Sequence, residues 1–456
     1  MVRDILIVGG GIAGLASALS LSKSLAALED PDFQIHVFER HSGMPETGGA
    51  ISLTPAAQRH LDTLGVLEEL DGMGPDGGVE VDEIELFALR SGRPLGPIRF
   101  ADDYGQTEKK KRYKGRRVMR MHLSRAMLNT LRRMNNVAVY YGKKLVGGRE
   151  TASGVTLKFE DGSTATGDLV LGCDGVHSVT RTQLVDAGRA SEYTGVSFLQ
   201  STIDSAGALH SRPHFECTAM HLSQQGSLLA SFCDPGKTKI FLAGIIDLGE
   251  QLIERLREEE DSSSSSSSSN SSNNNSELAR YHVKMTLQYL ARERFARSPL
   301  PFVSEMVTQT QDWSLYPVYQ VPPGGKWYTE RILLLGDAAH ALPPRDESAA
   351  YALGDAIQIS RLLVNYHDRP LIEVFQAYER QRRVLVQTAF DRSRRLWQRT
   401  HDMRLLPGQL KELLTPVDLR PSSCSSSLHT PAAPVPSHEG FSDLSIYSLT
   451  REALDQ

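Results

Sequence analysis

What this sequence has little of narrows its reading first. Only four cysteines occur in 456 residues, Cys173, Cys217, Cys233 and Cys424, far apart and without a C-x-x-C pair. That spacing suggests neither a disulfide framework nor a zinc site, so no metal is expected and a reduced, cytoplasmic setting is the simplest reading. Long apolar runs are missing as well. The stretch Ile5–Leu28 is interrupted by three adjacent glycines and by Ser17, Ser20, Ser22, Lys23 and Ser24, so it reads as a strand and a small-residue helix, with no membrane partner expected. Charge is nearly balanced, with a net of -5, which gives no field to attract nucleic acid. One local exception, EKKKRYKGRR at 108–117, is read as a solvated loop in preference to a nuclear signal or phosphate patch.

What is present reads as α/β. DILIVGG, GIAGLASALSLSKSL and FQIHVFER give strand, helix and strand, the alternation that a crossover between parallel strands produces. GVTLKFEDGSTATGDLVLGCDG predicts a hairpin turning at Asp161-Gly162. Short apolar runs between 194 and 250 predict a second sheet. The run DSSSSSSSSNSSNNNS, 261–276, has nothing to bury and reads as a disordered insertion. Helices are expected over 277–295, 349–366 and 371–403, with a strand at 331–335; the tail beyond about 401 reads as a largely disordered extension.

Gly9, Gly11 and Gly14 form G-x-G-x-x-G between an apolar strand and a helix. The first glycine permits a tight turn, the second lets backbone approach a pyrophosphate, and the third lets the helix sit on the sheet. Glu39 ends the next strand, where a carboxylate accepts from a ribose 2′-OH and repels a 2′-phosphate; FAD or NAD fits. No second such fingerprint follows a strand downstream, which argues against two separate dinucleotide domains.

Further segments carry a family likeness. GGAISLTPAAQRHLDTLGV (48–66), RMHLSRAML (120–128), CDGVHSVTR (173–181) and LLLGDAAH (333–340) resemble, in the right order, the motifs of class A FAD-dependent monooxygenases of the para-hydroxybenzoate and salicylate hydroxylase type, especially the fungal secondary-metabolism branch. The resemblance runs from about Val2 to Arg395. It implies a Rossmann-like FAD-binding part (about 1–75, 110–190 and 330–370) interleaved with a mixed β-sheet substrate part (about 76–109 and 191–329), followed by C-terminal helices. It also implies that Gly49 and Ala50 pass the flavin, that Arg120 contacts the cofactor, that Asp174 serves cofactor binding, that Asp337 bonds the ribityl chain, and that Ala350 lies in an Ala-rich helix beside it. Arg125 is an alternative to Arg120, and Asp174 and Asp337 could instead cap helices. His340 reads as part of the turn, and Cys173 as a small core residue.

The turn after Asp337 departs from the family. Where Pro-x-x-Gly-Gln-Gly is usual, this chain has Pro344-Arg345-Asp346-Glu347-Ser348, with Asp346 in a glycine position and Gly354 where an acid is common. The resemblance implies that NADPH or NADH reduces FAD transiently and that O2 then adds to give a flavin C4a-hydroperoxide. Oxygen would pass to a small aromatic, indolic or polyketide metabolite. Tyr193, His214, Trp313 and Tyr316 are candidate pocket residues, though a core aromatic is the preferred reading of each. No catalytic side chain is assigned. The rivals are a non-hydroxylating flavoenzyme (an epoxidase, a Baeyer–Villiger enzyme or a reductase) and a non-catalytic FAD-binding protein.

Overall fold

The computed structural model describes residues 2–26, 33–44, 48–99, 113–205, 209–264, 273–343 and 348–401, with only the backbone described at 259–264, 273–276 and 395–401. The turn residues Pro344 to Glu347, Asp346 among them, and the tail beyond His401 lie outside these.

Five strands form a parallel sheet, β1 (Asp4–Val8), β2 (Gln34–Phe38), β8 (Val137–Tyr140), β12 (Leu169–Gly172) and β18 (Ile332–Leu334), in the order β18-β12-β1-β2-β8. Apart from the exposed Asp4, β1, β12 and β18 are apolar and buried along their length, as strands covered on both faces must be. The helices α1 (Ile12–Leu25), α2 (Pro55–Thr63), α3 (Leu67–Asp71), α4 (Arg120–Leu131), α8 (Asp337–His340), α9 (Ser348–Asn365) and α10 (Leu371–His401) gather around it, and α1 lies against α4 and α9. A three-stranded sheet of β9 (Leu145–Thr151), β10 (Gly154–Phe159) and β11 (Thr164–Gly167) contains the expected hairpin, with Gly162 at φ +80 in its turn.

A second large sheet runs β17-β13-β16-β15-β14-β5-β6. Its strands are β5 (Glu83–Ala88), β6 (Pro94–Arg99), β13 (Glu192–Asp204), β14 (Thr218–Ser223), β15 (Gly226–Phe232), β16 (Lys239–Asp247) and β17 (Ser314–Gln320). Its register explains its two faces. Leu199, Gly244, Leu228, His221 and Phe87 form one row across it, and all but Gly244 are side chains directed into an apolar core with α5 (Glu250–Ser264), α6 (Asn273–Phe295) and α7 (Pro301–Gln309). A Cβ on Gly244 would come within 2.6 Å of the Phe295 ring, so α6 rests directly on the sheet there. The neighbouring row, Gln200, Ala243, Leu229, Met220 and Leu86, points the other way, because successive residues of a strand face opposite sides.

Between the two large sheets lie β3 (Ala50–Leu53), β4 (Val79–Val81) and β7 (Gly115–Met119), ordered β3-β7-β4. Here two expectations change. The end of the basic run is not solvated loop: Arg116 and Arg117 are buried in β7, and Arg116 reaches Asp71 at 2.6 Å. The Ser/Asn run is helical at both its margins, since α5 continues through Ser264 and α6 begins at Asn273; its centre lies outside the described residues.

Candidate functional site: a dinucleotide cradle facing a sheet

The turn after β1 is shaped for close backbone approach. Gly9 has φ +105, and a Cβ there would meet the Cys173 carbonyl oxygen at 2.4 Å; one on Gly14 would lie 1.9 Å from the Gly9 oxygen. Gly11, the N-cap of α1, faces open space with nothing within 4 Å. No side chain caps that helix end, and no acid stands in its first turn. The N–H groups and positive end of α1 are thus left for an anion, which fits a pyrophosphate.

Glu39 follows β2. One carboxylate oxygen accepts from the Gly10 N–H at 2.8 Å, and the other meets the His41 N–H at 2.9 Å and its Nδ1 at 2.5 Å. The carboxylate is therefore fixed at the lip of the glycine turn, with lone pairs left for a ribose.

At the other end of the cradle, Gly49 and Ala50 run beside β7, and the Arg120 N–H donates to the Gly49 oxygen at 3.1 Å. Arg120 and Asp337 are both exposed side chains, and neither makes a side-chain hydrogen bond among the described residues. Although the Asp337 side chain is exposed, the protein crowded around the recess partly desolvates its carboxyl and pushes it up, and the charges of His340 and Arg120 pull against that. Two polar groups of opposite charge thus line one recess without satisfying each other. Ala350 sits half-buried in the first turn of α9.

Asp174 turns inward on its own loop. It accepts from Ser178 Oγ at 2.5 Å and from the Thr180 N–H and Oγ1 at 2.9 and 3.0 Å, all within its own loop and the turn that follows. Behind it lies Arg181, which the sequence reading did not single out. It is buried and donates to the oxygens of Arg189, Ala338 and Val176, at 2.7, 2.9 and 2.7 Å, tying the Asp174 loop to the Asp337 turn. Its invisibility in the sequence is understandable, because its partners are main-chain oxygens. Cys173 is buried in the main core, as expected, and burial pushes its thiol far up.

The cleft-facing row of the second sheet looks onto this cradle. A Cβ on Gly49 would lie 2.6 Å from Gln200 Oε1 and 2.9 Å from the Phe241 ring. Leu229, Cys233, Phe241 and Ala243, with Met220 of the same face, cluster with Ala50 and Met119 across the gap. Of the four aromatic candidates for the pocket, only Tyr316 is on this side. It pairs with Phe198 in the register and is 51% exposed; burial pushes its phenol up, while the Arg120 charge lowers it and that of Asp337 raises it. For the other three the core reading holds. Trp313 and Tyr193 pack with the outer core, and His214 contacts Phe87 and Phe302 there and shares a 2.8 Å Nε2–Nε2 contact with His221. Alternation gives two faces to a strand, but it does not say which one meets the cofactor.

Comparison with known proteins agrees with this geometry. The family described as FAD binding domain matches residues 3–262, more than half of the chain. The chain belongs to that family, and FAD is its cofactor. A putative FAD-dependent monooxygenase, YetM of Bacillus subtilis, is 26% identical over 84% of this chain and 89% of its own length. The 3-hydroxybenzoate 6-hydroxylase of Klebsiella oxytoca is 24% identical over 83% and 84%. In fold, the chain is similar to Klebsiella pneumoniae HpxO complexed with FAD and uric acid, with a TM-score of 0.70 at 22% identity over 90% of this chain and 92% of that one. The enzyme class these likenesses define is the FAD-dependent monooxygenases of aromatic-hydroxylase type. Among the described residues no helix is long and apolar enough to cross a membrane, and no group of side chains is arranged to hold a metal.

Proposed function

We propose that this protein uses NADPH or NADH and O2 to hydroxylate a small aromatic, indolic or polyketide metabolite. One oxygen atom goes to the substrate and the other leaves as water, with two electrons supplied by the nicotinamide. The fungal secondary-metabolism branch is proposed from the resemblance of the four motif segments, and a cytoplasmic setting from the far-apart cysteines. The observation that carries the reading is the apolar row of the second sheet, with Gln200 and Tyr316 on the same face, set opposite Gly49 and Ala50.

FAD supplies the redox chemistry and oxygen activation; the protein binds it, orients the substrate and keeps water out. Gly9, Gly11, Gly14 and Glu39 would hold the adenosine and pyrophosphate, and Gly49, Ala50, Arg120, Asp337 and Ala350 the flavin end. Asp174 would act by shaping its loop. Phe198, Phe241, Met220 and Leu229 give a dry surface for a planar ring. Gln200 makes no side-chain hydrogen bond among the described residues, and Tyr316, kept as the neutral phenol, has a proton to donate. Both suit a hydroxyl or carbonyl on that ring.

The reductant fits a basic rim. His177 lies with its ring 4.6 Å from that of Tyr319, whose hydroxyl accepts from Arg257 at 2.9 Å. Burial, and then the charges of Arg257, Arg181 and Arg40, lowers the His177 imidazole. An anionic dinucleotide would find cations there.

The test is direct. The purified protein should be yellow, should release FAD and not FMN on denaturation, and should consume NAD(P)H faster with its substrate present. A protein that binds FAD but consumes no NAD(P)H with any phenolic, indolic or polyketide compound would leave the cofactor assignment standing and refute the hydroxylase reading.

A further inference from the structure

The family match ends at residue 262, yet the turn that presents Asp337 is held by residues well beyond it. At its centre is Asp355 of α9, which is fully buried. Its Oδ2 accepts from the Gly336 N–H at 2.9 Å and meets His340 Nε2 at 2.7 Å, the two ends of the short segment that carries Asp337. Its Oδ1 accepts from Arg382 Nε of α10 at 2.6 Å, and Arg382 also donates to the Tyr351 oxygen at 3.1 Å. Burial alone would raise the Asp355 carboxyl; the charge of Arg382, then that of His340 and the bonds from His340 and Gly336, outweighs it and holds the group ionised, with His60 of α2 and the buried Tyr378 of α10 also facing the pair. Gly336 itself has φ +57, and a Cβ there would crowd Ala13 at 3.0 Å. The turn is a conformation that needs holding.

A second contact from α10 reaches the same place. The Arg383 guanidinium lies 4.6 Å from the centre of the Trp327 ring and donates to the Gly325 oxygen at 2.8 Å. The Trp327 ring in turn lies 5.3 Å from that of His340. Adjacent arginines of one helix therefore bear on His340 by two routes, one ionic and one through an aromatic ring.

We propose that Arg382 is a positioning residue for FAD. It acts through Asp355, keeping the Gly336–His340 segment in the form that aims Asp337 at the cofactor. The proposal rests on the assignment of FAD to the cradle. Removing Arg382 leaves a buried carboxylate without its counter-charge, so Asp355 takes up a proton nearer neutrality, and the bonds that its Oδ2 accepts from Gly336 and His340 lose their charge assistance and weaken.

The experiment is FAD titration of the apo-protein, read by quenching of flavin fluorescence, between pH 5 and 9. Wild type should bind with little pH dependence. Arg382→Met should bind at least about tenfold more weakly, the size of one charged hydrogen bond lost, and its affinity should fall further as pH drops. Arg382→Lys, which keeps the charge, should recover most of the affinity and remove the new pH dependence. A folded Arg382→Met protein with wild-type affinity and a flat pH profile overturns the proposal. So does a uniform weakening that lysine does not rescue, or failure of both variants to fold, since either makes Arg382 purely structural. If wild type itself does not bind FAD, the cofactor assignment fails instead.

Discussion

The cradle and the sheet face opposite it solve different problems with different material. In the cradle the groups that shape the backbone are committed: Glu39, Asp174, Arg181 and Asp355 all have named partners, and glycines stand where a Cβ would strike backbone, leaving Arg120, Asp337 and the first N–H groups of α1 open. On the sheet face the committed groups are few, and Gln200 and Tyr316 are polar tips on an apolar surface. A cofactor that stays needs a rigid, preformed host, whereas a substrate that comes and goes needs a surface whose hydrogen bonds it completes itself.

Replacing Gly14 by alanine tests the rigid half most severely. Its Cβ would sit 1.9 Å from the Gly9 oxygen, so we expect a loss of about 3 kcal/mol or more by denaturant unfolding, together with a colourless protein. A yellow Gly14→Ala protein of unchanged stability would show that α1 does not lie as close to the turn as described.

Acid should act on the other half, through the far side of the sheet. His221 is buried, and burial first, with His214 beside it, holds its imidazole down to about 4 from an ordinary 6.5. The unfolded chain therefore binds the proton more readily, and stability fully present above pH 6.5 is lost as pH falls towards 4, by about 3 kcal/mol. Unfolding free energies at the two pH values should differ less in His221→Leu than in wild type. Equal slopes would mean that His221 takes up its proton over the same pH range in the folded and unfolded states.

Two smaller effects sharpen the contrast. Glu39→Ala should weaken FAD binding by about 1–3 kcal/mol, for hydrogen bonds lost from a charged acceptor, without altering the response to added phenols. Tyr316→Phe should do the reverse: FAD retention unchanged, and binding of a phenol, followed by perturbation of the flavin spectrum, weakened by about 1 kcal/mol. Weakened FAD binding in Tyr316→Phe would move that phenol from the substrate side to the cofactor side.

The same contrast governs what could be read in advance. Gly9, Gly11, Gly14 and Glu39 were legible because backbone conformation and close approach admit few residue types, and they lie close together in the chain. The hairpin at Asp161-Gly162 was legible for the same reason. Asp355 and Arg382 were not, because a buried ion pair across two helices leaves no local pattern. Nor could the chain say which face of the second sheet would carry Tyr193, His214, Trp313 and Tyr316, since a one-residue change of register exchanges the faces. Arg116 and Arg117 were mistaken for part of a solvated run because composition does not reveal that a strand buries its last charges.

The order of strands in the parallel sheet has a consequence for how the protein is made. β1 finds its neighbour β12 only after Leu169 to Gly172 exist, and β12 waits for β18 at Ile332 to Leu334. At a synthesis rate of roughly 5–20 residues per second, the glycine turn leaves the ribosome tens of seconds before the residues that close its far end. Pairings so distant in sequence also form slowly. During that interval the apolar flanks of β1 and β12 are open to wrong partners. A nascent chain ended before α10 would carry the familiar glycine signature and still lack the Arg382 contact to Asp355, so the signature alone marks where folding of the site begins and not where it is complete.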